Sequence, residues 1–146
     1  KGQLYDSSRE LRLALESAPR TDAYPLRLIS CRRGHQFHSF YRSNEGNPLL
    51  RQFQPAPVLH MHPRDAAERG IADGAPALMF NDRGRAQLSV EWTTEVPRGA
   101  VSLDDGWPEL NEVSNDATSV APAVHRALGM GGLPSYQETF VEVRPA

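Results

Sequence analysis

The chain has 146 residues, enough for one domain around a single buried core. With 39% hydrophobic and 23% charged residues it is ordinary globular material, and a formal net charge of -2 excludes a general basic field for nucleic acid. The single cysteine, Cys31, excludes an intramolecular disulfide and any cysteine cluster for zinc or iron–sulfur, and it fits a reducing compartment such as the cytoplasm.

Twelve prolines and eleven glycines favour short strands and frequent turns over a helix bundle. No apolar run approaches the roughly 18 residues that span a bilayer, so direct membrane insertion is not expected. The start at Lys1, without methionine or signal peptide, reads as a piece cut from a longer polypeptide.

In chain order, residues 1–23 read as an arm leading into the domain. Ser7-Ser8-Arg9-Glu10 has capping-box spacing, Leu11, Ala14 and Leu15 follow at helical spacing, and Pro19 ends the short helix. Leu26 to Ile29 reads as a buried strand, and Ser30 to Asn47 as a polar stretch. A strand follows at Val58 to Met61. The next helix is punctuated by Pro63 at its first position, Asp65 in its first turn and Gly70 as its stop. Pro76 to Phe80 is a strand, Asn81-Asp82-Arg83-Gly84 a hairpin turn, and Arg85 to Thr94 an alternating strand with Leu88, Val90 and Trp92 on one face. Ala100 to Leu103 is a strand, and Asp104 to Ser119 a long irregular stretch. A short helix is expected from Pro122 to Gly129 and a last strand at Thr139 to Val143. Such a strand-dominated chain closes most simply into a β-barrel, which leaves no exposed edge.

Two polar segments carry the candidate chemistry. Ser30 to Ser39 follows a buried strand directly and supplies hydroxyls, arginines, a glycine and histidines, which together suit a phosphate-bearing ligand. Asn111 to Asp116 supplies carboxamides, a hydroxyl and a carboxylate, which can pair with the edge of a guanine or a pterin. Taken alone, the first segment is a polar loop and the second a set of turn-forming side chains. His60 and His62, two apart on a strand, lack an evident third metal ligand. His125 reads as surface or packing, Asp104-Asp105 as solvated turn residues, and Trp107 as either core or the lining of a funnel.

Five segments, Tyr24 to Ser30, Pro63 to Gly74, Asn81 to Gly84, Asn111 to Asp116 and Thr139 to Val143, resemble in order and spacing the molybdopterin-dinucleotide-binding C-terminal domain of the dimethyl-sulfoxide-reductase family. The resemblance covers residues 24–146. It implies a mainly β fold, a double-psi β-barrel of the aspartate-decarboxylase-like kind with short helices. It also implies a share in binding bis(molybdopterin guanine dinucleotide) with molybdenum or tungsten, bound in the context of the full-length enzyme.

Carried over residue by residue, the cofactor-binding set is Ser30, Cys31, Arg32, Arg33, Gly34, His38, Ser39, Asn111, Ser114, Asp116 and Gln137. Cys31 departs from the glycine or proline usual at its position and reads as a small residue in a tight turn. No residue of the set is catalytic or a metal ligand. The implied partners are the remaining domains of a parent oxidoreductase, of formate-dehydrogenase or oxygen-atom-transfer type, and electron-transfer subunits. A free-standing cofactor-binding subunit is one alternative. The other is a barrel used as an adaptor or peptide-binding module, since one fold hosts unrelated functions. The adaptor reading gains if the 30–39 loop and Asn111 lie on opposite faces of the barrel.

Overall fold

The computed structural model describes residues 22–32, 48–114 and 138–146. The elements run β1 (Leu26–Cys31), α1 (Pro48–Phe53), β2 (Val58–Met61), α2 (Pro63–Glu68), β3 (Pro76–Phe80), β4 (Arg85–Trp92), β5 (Ala100–Asp104), α3 (Pro108–Val113) and β6 (Thr139–Pro145). The expected helices before residue 20 and after Pro122 lie outside the described residues.

The strands close into a barrel in the order β1-β5-β2-β4-β3-β6. β1 runs parallel to β5 and β2 parallel to β4, while the other neighbours are antiparallel. Exchanging β1, β2 and β3 for β4, β5 and β6 maps this order and every strand direction onto themselves. Each half of the chain therefore lends one strand to a parallel pair with the other half. Two such interlocked crossovers are the double-psi arrangement, and the barrel is of that kind.

Alternation of side chains along each strand builds the core. Leu26 and Leu28, Leu59 and Met61, Ala77 and Met79, Ala86, Leu88 and Val90, Val101 and Leu103, and Val141 and Val143 are all buried in one cluster. The registers Leu28↔Val101, Leu59↔Leu103, Leu59↔Val90, Ala77↔Leu88 and Met79↔Val143 place them at matching levels inside the barrel. β5 departs from alternation, because all five of its residues are buried and both its faces are covered. Trp92 keeps the parity of Leu88 and Val90 but, at the end of β4, is 37% exposed and so is not part of the buried core.

The base of the barrel is closed by α2 and its partners. His62 caps this helix, its Nδ1 accepting the Arg64 N–H at 3.2 Å, and Pro63 starts it. Asp65 is buried beneath it, accepting the Gly99 N–H at 2.6 Å and the Arg98 Nε at 2.8 Å. Arg69 reaches across to β6 and grips both oxygens of Glu142, with the Nε at 2.5 Å. Gly70 then ends the segment at φ 68°. A Cβ there meets open space, so Gly70→Ala should cost only the left-handed backbone penalty, about 1 kcal/mol by urea denaturation. Unchanged stability would show that this turn relaxes without loss.

Candidate functional site

The strand registers place the described parts of both predicted polar segments, residues 30–32 and 111–114, at one end of the barrel. β1 and β5 are parallel and end together at Cys31 and Asp104. β2 is antiparallel to β5, so its first residue, Val58, lies at that end. β4 is parallel to β2 and begins there, and the β3–β4 turn and the start of β6 follow from their antiparallel pairings. This mouth therefore gathers the chain leaving β1, the chain entering β2, the Asn81 turn, the chain leaving β5 with α3, and the entry to β6. Residues 30–32 and the helix that carries Asn111 leave the barrel at this same end, so the separation on which the adaptor reading would gain is not seen for these residues.

Each predicted residue has a distinct setting. Ser30 shares the inward parity of Leu26 and Leu28 and lies level with Leu103, which puts its hydroxyl on the inner rim above the apolar core. Thr139, level with Leu28 and buried, places a further hydroxyl one level below Ser30. Cys31 lies in β1 and not in a turn. Its side chain has the outward parity, where the Ser102 hydroxyl donates to Sγ at 3.1 Å. Its carbonyl accepts the Asp105 N–H at 2.6 Å, which fixes the chain as it leaves β5. Arg32 is the first residue past the strand, with a largely exposed guanidinium 3.9 Å from the Asp105 carboxylate.

Asn111 lies in a helix, not in the irregular stretch expected from Asp104 to Ser119. Pro108 starts α3 in place of an unsatisfied N–H. Leu110 and Val113 turn toward the core, which leaves Asn111 exposed on the other side. The Ser114 hydroxyl donates to the Leu110 carbonyl at 2.6 Å and so serves the helix end. Arg33, Gly34, His38, Ser39, Asp116 and Gln137 lie outside the described residues.

Reading the sequence as solvated turn residues at 104 and 105 missed a buried polar group. Asp104 is 2% exposed and accepts from Gln54 Nε2 at 2.6 Å. Trp107 is core, 4% exposed. Beside these, Gln54 Oε1, Trp107 Nε1 and Glu109 Oε2 are buried with no hydrogen-bond partner among the described residues. Buried orphans are rare, because each costs about 1–3 kcal/mol in lost hydration. All three stand on segments that meet at the mouth. The only sequence signal for them was position, immediately before β2 or after β5. His60 lies 3.9 Å from Glu91, and His62 is occupied as the cap of α2.

The family model described as molydopterin dinucleotide binding domain matches residues 26–130, well over half of the chain. The chain belongs to that family, as a cofactor-binding domain of the dimethyl-sulfoxide-reductase type. It is similar to the dimethyl sulfoxide/trimethylamine N-oxide reductase of Rhodobacter capsulatus, at 33% identity over 98 residues, covering 65% of this chain and 12% of that protein. It is also similar to the respiratory nitrate reductase subunit alpha of Haloferax mediterranei, at 33% identity over 84 residues, covering 58% of this chain and 8% of that one. The fold matches a domain of the acetylene hydratase from Pelobacter acetylenicus with a TM-score of 0.65 and 23% identity, covering 92% of this chain and 19% of that one. The chain thus spans about a tenth of the length of the curated relatives it matches.

Membership implies bis(molybdopterin guanine dinucleotide) with molybdenum or tungsten as the cofactor. The residues at the mouth fit such a group. Its phosphates call for N–H donors and cations, which Arg32 supplies, and its pterin and guanine edges call for mixed donors and acceptors. Trp107 Nε1 is a buried donor there, and Gln54 Oε1 and Glu109 Oε2 are buried acceptors suited to ring N–H groups.

Proposed function

We propose that the mouth residues hold one dinucleotide arm of this cofactor within a larger oxidoreductase. The observation that carries the reading is the meeting of the β1 exit and α3 at the same end of the barrel. Arg32, with Arg33 and Gly34 beyond it, serves the pyrophosphate, and Ser30, His38 and Ser39 contribute further donors. Asn111, offering both an amide N–H and a carbonyl, reads a base or pterin edge, with Asp116 and Gln137 in support. The cofactor's metal supplies the redox step when bound, while these residues bind and orient the organic part.

Relatives named as reductases of sulfoxide, N-oxide and nitrate favour oxygen-atom transfer over formate-type oxidation for the parent. Their much greater length favours a domain of a long catalytic chain over a free-standing subunit, with the other domains as its first partners and electron-transfer subunits beyond them.

The test uses the full-length protein purified with its cofactor. Arg32→Ala, His38→Ala and Asn111→Ala should each lower the molybdenum or tungsten content and, in parallel, the guanine nucleotide released by acid. If none lowers either quantity, the residue assignment is wrong.

A further inference from the structure

Asn81 does more than a hairpin turn requires. Its Oδ1 accepts the N–H groups of Arg83 at 2.9 Å and Gly84 at 3.2 Å, the usual use of an asparagine in a turn. Its Nδ2 sends both protons out of the turn, one to the Val113 carbonyl at 2.8 Å and one to the Phe140 carbonyl at 3.1 Å. Val113 is the last residue of α3, where carbonyls have no partner within the helix. Phe140 belongs to β6. A single amide therefore ties the β3–β4 turn to the end of α3 and to the entry of the last strand.

The neighbouring Gly84 makes the seat close-fitting. A Cβ at Gly84 would lie 2.3 Å from the Glu112 carbonyl oxygen, so the turn backbone bears directly on the helix backbone. α3 is only six residues long. A helix of that length has little stability of its own, and outside contacts must set where it points. Those contacts grip residues 112 and 113, directly after Asn111.

We infer that Asn81 is a positioning residue for cofactor binding: its amide anchors the C-terminal turn of α3 and so fixes how Asn111 is presented at the mouth. The inference rests on the reading that Asn111 contacts the cofactor. Asn81 itself acts through α3.

Asn81→Ser separates the two jobs, because a serine hydroxyl can still accept from the turn N–H groups but carries no amide for Val113 and Phe140. Full-length holoenzyme is prepared as wild type, Asn81→Ser, Asn111→Ala and the double variant. Loss of molybdenum or tungsten and of guanine nucleotide is then followed during dialysis. Asn81→Ser should lose cofactor roughly five- to tenfold faster than wild type, and the double variant no faster than Asn111→Ala alone, since residues acting through one contact are not additive. A purely architectural Asn81 would instead multiply the effect of Asn111→Ala.

Multiplied effects, or an Asn81→Ser retention equal to wild type while Asn111→Ala loses cofactor, would overturn the inference and leave the site reading intact. Unchanged retention in Asn111→Ala would remove both. Should Asn81→Ser fail to fold, Asn81→Gly, which suits the turn by backbone freedom, carries the same comparison.

Discussion

Replacing Asp65 by alanine should lower the stability of the 146-residue chain by about 2–3 kcal/mol, one of the largest losses available outside the apolar core. Asp65 is 3% exposed, and its carboxylate accepts one backbone N–H and one guanidinium N–H. The partner Arg98 is half exposed and recovers water when the carboxylate is removed, so the loss falls short of a fully buried pair. Asp65→Asn retains an acceptor for Gly99 and should lose about half as much.

Acid provides the sharper check. Burial pushes the Asp65 carboxyl up, but the Arg98 hydrogen bond, the Gly99 N–H and the charges of Arg98 and Arg69 outweigh it and hold the group below its ordinary value of 3.8. A carboxyl depressed in the folded state contributes its full stability above the unfolded value and loses it as pH falls through the folded one. Wild type and Asp65→Asn should therefore differ most near neutrality and converge on acidification below about pH 4 in urea denaturation. A gap that stayed constant down to pH 2 would show that charge at Asp65 is not the source.

The strands are legible in the sequence wherever one face is buried and the other wet. Leu26 and Leu28, and Ala86, Leu88 and Val90, alternate with exposed residues, and the expected spans match the observed ones to within a few residues. The helix at Pro63 is legible from its cap chemistry. β5 was legible as a strand from Ala100 to Leu103, but its two buried faces remove the alternation, and Asp104 beside Asp105 and Gly106 has the composition of a turn although it is buried. α1 and α3 are each six residues, too short for a helical period to show, and α3 carries an asparagine that suggests a loop. Pro108 with Leu110 and Val113 was the available signal.

The candidate site divides in the same way. The segments carrying it are visible as polar runs that break a strand pattern, and the family resemblance orders them. Their convergence is not visible, because it depends on the parallel pairings β1–β5 and β2–β4 between distant parts of the chain. The role of Asn81 depends on partners 32 and 59 residues away, so its sequence context shows only the turn. Chemistry that is local in sequence was readable, and chemistry assembled by barrel closure was not.

The other large effect concerns Gly84, and it joins stability to function. Gly84→Ala should destabilise the chain by about 2–3 kcal/mol, because overpacking against backbone has no flexible side chain to yield. The added Cβ would stand 2.3 Å from the Glu112 carbonyl oxygen and 3.1 Å from its carbon, so α3 must move by roughly 1 Å to reach ordinary contact. That shift pulls Val113 from the Asn81 amide and carries Asn111 with it. The full-length Gly84→Ala protein should therefore retain less molybdenum or tungsten as well as melt earlier. Gly74→Ala is the control, since its φ of 74° strains the backbone while its Cβ meets open space at the other end of the barrel. Equal cofactor loss in both variants would assign the effect to general destabilisation. Loss confined to Gly84→Ala would assign it to the seating of α3.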